Sequence, residues 1–345
     1  QLDDGAIALQ RDRTQVWPYL ANYAAMGLAA ASSLTGDDRY AAAAARWLTW
    51  YARHQDDRGV VSEQAGGPDG LRPTGEVDAV DASAGTYLLA TEAWWRATGD
   101  RAGLATLLPA IGRAITAITT LQDLDGLTWA TATYRVKYLM DQAEVYAGLL
   151  AGARVALALD DRPTALRALV AADRLRLGVA DLWDEQAGGY AWAVHPDGRR
   201  DRVDWEIRYP DALQQVWAVA FGFAVGSRAQ ALMDHFVRRH PGWADPLAPA
   251  PVDGYARPTA WWVPGVWALL AVHDERSAQE ARRHMSATAE GTGRAWPFTS
   301  GDAGQLNVAR AARRDPAWLP LTVASSSRVA GPIARKPSPR GRDDR

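Results

Sequence analysis

Between residues 76 and 81 three acids fall within six positions: Glu76, Asp78 and Asp81. An apolar run follows directly, with Leu88, Leu89 and Ala90, then Trp94 and Trp95. Asp78 and Asp81 are three apart, so in a first helical turn they share one face. The spacing recurs at Asp141 and Glu144, in the stretch Lys137-Tyr138-Leu139-Met140-Asp141-Gln142-Ala143-Glu144. A third acid-led stretch carries Asp204, Glu206 and Asp211 beside Trp205 and Tyr209. A single acid at such a place is explained by N-capping and by the helix dipole. Caps alone do not ask for carboxylate pairs. Convergent carboxyls can do general acid/base work, one giving a proton to a leaving oxygen while another activates water. Cleavage of a glycosidic bond needs that pair, and inversion sets the two roughly 6.5–9.5 Å apart.

On this reading Asp81 and Asp141 are the acid/base pair, and Asp78, Glu144 and Asp211 are orienting or alternative acids. Aromatic rings cluster at the same helix starts, and a pyranose face stacks well on such rings. Trp17, Tyr19, Tyr87, Trp129, Tyr138, Tyr209 and Trp261, with Lys137, are therefore expected to bind substrate; Tyr134 and Trp262 flank the same starts. Trp47, Trp50, Trp94, Trp95 and Trp217 sit mid-helix and are expected in the core. Other chemistries lack their residues. The six histidines show no metal-ligand spacing, no Gly-rich phosphate loop joins a strand to a helix, and no nucleophile elbow occurs. Neither a metal nor an organic cofactor is expected.

The elements that must position these acids are helical and repeat. Ala-rich segments come in pairs, 17–34 with 38–54 and 79–97 with 101–121, joined by Thr35-Gly36-Asp37 and Thr98-Gly99-Asp100. Glycine suits a left-handed helix end and aspartate the next N-cap. Weaker copies pair 139–159 with 164–183, 210–224 with 228–239, and 258–272 with 276–287. A partial sixth unit runs over 302–313. Turns within a pair are short, whereas the connections 55–78, 122–138, 184–208 and 240–257 are long and gather at one end. Residues 182–194 read as a helix end, a Gly turn and a short strand, with a hairpin turn at His195-Pro196-Asp197-Gly198. The expected fold is all-α, an (α/α)6 toroid over 1–314 with an incomplete last hairpin, followed by an irregular tail over 315–345.

The 345 residues carry 38 basic and 40 acidic side chains, which leaves no electrostatic footprint for nucleic acid. No cysteine is present, so disulfides and thiolate chemistry are excluded. No apolar run is read as long enough to span a bilayer. Sixteen tryptophans against four phenylalanines suit flat sugar-binding surfaces. Numbering from Gln1 leaves room for a removed leader, so an extracellular or extracytoplasmic location is expected, otherwise a cytoplasmic one; the absence of cysteine fits either. A monomer acting on a carbohydrate, with no nucleic acid and no membrane insertion, is expected.

The acid-led inner helices and the stretch Asp184-Glu185-Gln186-Ala187-Gly188-Gly189-Tyr190-Ala191-Trp192 resemble the six-hairpin glycosidase superfamily. Residues 78–89 are similar to the acid-opened helix of family 8 glycoside hydrolases. Tyr138-Leu139-Met140-Asp141 resembles the catalytic-aspartate helix start of unsaturated glucuronyl hydrolases, in families 88 and 105. The resemblance covers roughly residues 15–312 and implies the toroid and a glycosidase activity. It departs from family 8 near the N-terminus, where Gln15-Val16-Trp17-Pro18-Tyr19 replaces the proton-donor glutamate motif. The alternative is a non-catalytic toroid that binds glycans or a protein on its aromatic loop face.

Overall fold

A Thr-Gly-Asp turn closes one helix and opens the next, twice over. Gly36 and Gly99 adopt φ of 72° and 65°, and their N–H groups return to Ser32 and Trp95 carbonyls. Asp37 and Asp100 then accept the first free N–H groups, from Arg39 and Gly103. Asp161 and Asp274 cap later helices in the same manner.

The computed structural model describes residues 1–12, 14–67, 70–245 and 261–320. Within them run α1 (Pro18–Thr35), α2 (Asp38–His54), α3 (Val80–Thr98), α4 (Arg101–Leu121), α5 (Leu139–Ala158) and α6 (Arg162–Ala180). They are followed by α7 (Asp211–Ala220), α8 (Gly226–Arg239), α9 (Pro264–Ala271), α10 (Glu275–Gly291) and α11 (Ser300–Ala312). Odd-numbered helices pack side by side in order, and α11 returns against α1, closing a six-membered inner ring. Each even-numbered helix packs on the outside of its pair. This is the expected (α/α)6 toroid, with six inner and five outer helices among the described residues. After α11 a 3-10 turn, Pro316–Trp318, begins the irregular end, and the expected tail from 321 lies outside the described residues.

Burial explains which helix goes where. Inner helix α3 buries every residue from Asp81 to Trp94, because neighbours cover it on all sides. Outer helix α8 buries Ala229, Leu232, Met233 and Phe236, a one-sided stripe at helical spacing. Glycines face one another where inner helices approach closely, Gly27 with Gly304 and Gly85 with Gly148. Asn22 ties α1 to two other helices. Its amide donates to the Ser83 carbonyl and the Thr86 hydroxyl, and its oxygen accepts from the Trp47 indole.

Four sequence expectations are corrected. Helix α9 starts at Pro264 rather than 258; residues 258–260 lie outside the described residues, and Trp262 has a φ of 53° that no helix continues. Helix α7 ends at Ala220, not 224. The 55–78 connection holds an antiparallel hairpin, Gln64–Gly67 with Gly70–Pro73, flanked by Gln15–Val16. Its Gly-rich residues carry no alternating apolar pattern, so a strand was not legible there. Finally, α4, with 21 residues, is long and apolar enough to cross a membrane by length and composition. In this fold it is an outer helix that buries Leu104, Leu107, Ile111, Ile115 and Ile118 against the ring.

The 182–201 segment folds as read. Trp183–Asp184 pairs with Gly189–Tyr190, and Ala193–Val194 pairs with Arg200–Asp201 around Gly198. Lys137–Tyr138 joins as a third strand. That pairing sets Tyr138 parallel to Trp192, with ring centroids 6.2 Å apart.

Candidate active site

The long connections meet over the N-terminal ends of the inner helices and enclose a cavity of about 1290 Å³. Asp141, in the first turn of α5, contributes a partly buried carboxyl to its wall. No hydrogen bond to that carboxyl exists among the described residues. Burial, then the negative charges of Asp81, Glu144 and Asp78, hold it well above the usual carboxylate range. Asp141 thus holds its proton more tightly than an ordinary carboxyl does. Asp78, in the segment before α3, lines the same cavity and is exposed to solvent, again without a hydrogen-bond partner among the described residues.

The wall is aromatic on two sides. Tyr19 of α1 lines it, as do Tyr134, Tyr138 and Trp192, the first two of these three joined hydroxyl to hydroxyl at 2.7 Å. Opposite, Tyr209 stacks on Trp262 at 4.7 Å, and Trp217 meets Trp262 edge-on. Gln214 of α7 and Gln305 of α11 add amides to the lining. Asp302 of α11 also lines it; burial pushes its carboxyl up to about 6, while Thr299 holds one oxygen in a capping box.

Glu144 stands behind this wall. Its Oε1 accepts from the Tyr19 and Tyr23 hydroxyls at 2.7 and 2.6 Å and from the Trp217 indole at 2.8 Å. Asp81 is fully buried and does not line the cavity. Its Oδ2 accepts from the Thr128 hydroxyl at 2.6 Å, and its Oδ1 from the Ala82 N–H. Gln142 completes the knot by pairing with both backbone groups of Thr128. Burial therefore raises the Asp81 carboxyl as well, but the group fixes the 121–130 connection.

Asp211, expected as an orienting or alternative acid, and several expected substrate contacts lie elsewhere. Asp211 is buried and accepts the Asp204 N–H at 2.8 Å, closing the loop before α7. Tyr87 is a core ring stacked on Tyr51 at 4.2 Å. Trp261 is buried against Phe298, and its neighbour Trp262 takes the cavity wall. Trp17 packs edge-on against Trp296, away from the cavity. Lys137 is 3% exposed, pairs with Asp123 and Asp125 at 2.8 and 2.7 Å, and covers the Trp129 ring at 4.0 Å. It and Trp129 organise the wall from behind.

Two residues of the lining escape the sequence reading although a signal exists. Trp217 stands three beyond Gln214, and Gln305 three beyond Asp302, the same spacing that marks the acid pairs. Trp217 reads as core because α7 is apolar on most sides. Trp192 carries no periodic signal, since it precedes a two-residue strand.

Lys137→Ala is expected to lower stability by about 2–4 kcal/mol, because it removes a buried cation from two carboxylates and a ring. Denaturant unfolding reads the loss, and saccharide affinity at the permissive temperature is expected to stay within about threefold. A larger loss of affinity with no loss of stability would place Lys137 at the substrate after all.

No family model matches the sequence, and no curated protein matches it. Solved structures do match. The GH63 mannosylglycerate hydrolase from Thermus thermophilus, in complex with glucose, superposes with a TM-score of 0.66 at 13% identity. The match covers 90% of this chain and 96% of that one. A likeness at that identity shows a shared (α/α)6 toroid fold. A rhamnosidase from Klebsiella oxytoca with rhamnose bound gives a TM-score of 0.61 at 15% identity, over 89% of this chain and 59% of that one. The GH78 rhamnosidase of a Bacillus species gives 0.57 at 17%, over 84% of this chain and 31% of its own longer chain. These likenesses establish the toroid, and the chemistry rests on the residues above.

Proposed function

We propose that this chain is a glycoside hydrolase acting on an oligo- or polysaccharide, with Asp141 as the proton donor. One observation carries the reading: a carboxyl in the first turn of α5, raised above the usual carboxylate range by burial and neighbouring acids, faces a Tyr- and Trp-walled cavity with no protein partner among the described residues. Such a group is poised to protonate a leaving glycosidic oxygen. Asp78, which opens to solvent on the same cavity although burial raises its carboxyl, is proposed as the group that activates water in an inverting displacement. The two rhamnosidases and the mannosylglycerate hydrolase that share the fold support this class of reaction.

The test is release of reducing ends from a panel of neutral, acidic and amino oligosaccharides, with proton NMR of the first-formed anomer. Saccharide binding with no product from any member would favour the non-catalytic glycan-binding toroid instead. Trp262→Ala is expected to weaken saccharide binding about tenfold, the loss of one stacked ring face, with the thermal midpoint little changed. Titration calorimetry reads the affinity, and an unchanged value removes Trp262 from the binding wall.

A further inference from the structure

Glu144 lies on α5 one helical turn after Asp141 and is fully buried. Its Oε1 gathers three donors from two other inner helices, Tyr19 and Tyr23 from α1 and Trp217 from α7. Its Oε2 is equally buried and has no hydrogen-bond partner among the described residues. A carboxyl held so unevenly costs stability, and an apolar side chain of similar shape would pack there without that cost. Its presence calls for a role beyond packing.

Two of the three donors are themselves cavity walls, Tyr19 and Trp217. The third, Tyr23, is a buried ring edge-on to Tyr19 at 5.4 Å. One oxygen thus fixes two facing walls. The titratable groups around Glu144 are Tyr19 and Tyr23 on α1, Asp81 on α3 with Asp78 just before it, and Asp141 on its own helix. Among the described residues, the charged groups that act most on Glu144 and Asp141 are acids, with no cation beside them. Burial favours the neutral acid and the three donors favour the anion, which leaves the Glu144 carboxyl pushed up to about 7. Residues three apart on a helix stand on one face, so a charge on Glu144 opposes a second charge on Asp141.

We propose that Glu144 is a positioning residue for Asp141: it fixes Tyr19 and Trp217 as cavity walls and, by its negative charge, keeps the proton on Asp141. The inference rests on the hydrolytic reading only for the use made of that proton. Carbon-13 NMR of labelled Asp and Glu carboxyls in the full chain tests it without substrate, the Asp141 signal being identified by its absence from Asp141→Asn. Glu144→Gln keeps the acceptor for all three donors and abolishes the charge. The Asp141 titration midpoint is expected to fall by about one pH unit in that variant. A midpoint equal to the wild-type one, the result of a purely structural Glu144, overturns the proposal. If Glu144→Gln does not fold, the wild-type curve decides: the Asp141 carbon is expected to show a second inflection at the Glu144 midpoint, and a single inflection overturns it. Full turnover by Asp141→Asn would defeat the hydrolytic reading and leave these midpoints still decisive.

Discussion

Asp141→Asn is expected to reduce turnover by about a thousandfold or more while leaving the protein folded and saccharide affinity within a few-fold. The size follows from removing a general acid at a bond whose leaving group is a poor one unprotonated. Asparagine keeps the shape and most of the polarity, so the aromatic walls from Tyr19 to Trp262 remain in place. Stability is expected to move in the opposite sense to activity. The folded protein holds the Asp141 proton more tightly than the unfolded chain does, because burial and the charges of Asp81, Glu144 and Asp78 raise its carboxyl. Such a group stabilises the fold fully below the ordinary carboxylate range and loses that contribution as pH rises through its own raised value. Asparagine has no proton to lose. Asp141→Asn is therefore expected to equal wild type in stability below the ordinary carboxylate range and to gain on it as pH rises. The same sign governs the rate: turnover falls on the alkaline side, as Asp141 gives up its proton. Urea unfolding at acidic and alkaline pH, with initial rates over the same range, checks both halves. A variant with full turnover on the best substrate found, or one whose stability advantage is larger in acid, contradicts the assignment.

The acid pairs show how far residue types and spacing reach. Asp78, Asp81, Asp141 and Glu144 are all recognisable as groups on the inner ends of helices, because caps explain one acid and not a spaced pair. Their division of labour is not recognisable. Whether an acid faces the cavity or the core depends on where its helix is rotated within the ring. That rotation is set by contacts such as Thr128 with Asp81 and Trp217 with Glu144, from segments distant in sequence. Aromatic residues behave likewise. Trp261 and Trp262 are adjacent and chemically identical, yet a left-handed backbone at Trp262 sends one ring to the cavity and one to the core. The side-chain amides escape notice for a different reason. Gln142 and Gln215 pin Thr128 and Tyr190 by pairing with both backbone groups, and no local pattern marks a glutamine for such a task. The repeat of helical pairs, by contrast, is legible because capping chemistry is local and period is additive.

The ring that brings these ends together depends on glycine, and two substitutions of opposite sign are expected to show it. Gly304 on α11 faces α1 so closely that a Cβ there would lie 2.1 Å from the Tyr23 carbonyl oxygen and 2.6 Å from the Ala24 Cα. Both are backbone atoms, so no side chain can swing aside. On the partner helix, a Cβ at Gly27 would fall 2.2 Å from the Gly304 Cα. The two helices can accommodate alanine at 304 only by moving apart along a fully packed seam. Gly304→Ala is accordingly expected to cost about 3 kcal/mol or more, despite the higher intrinsic helix propensity of alanine. Gly112, on outer helix α4, is the control, since its Cβ would meet nothing nearer than an Arg167 guanidinium nitrogen at 4.0 Å. There propensity and unfolded-state entropy act alone, and Gly112→Ala is expected to stabilise by about 0.5–1 kcal/mol. Because α1 carries Tyr19 and α11 carries Asp302 and Gln305 into the cavity, Gly304→Ala is also expected to weaken saccharide binding, which Gly112→Ala leaves alone. Chemical denaturation of both variants, with calorimetric titration of the same saccharide, separates closure of the ring from helix propensity. Equal and small effects at the two sites would mean that α1 and α11 are not held at the distance the glycines allow.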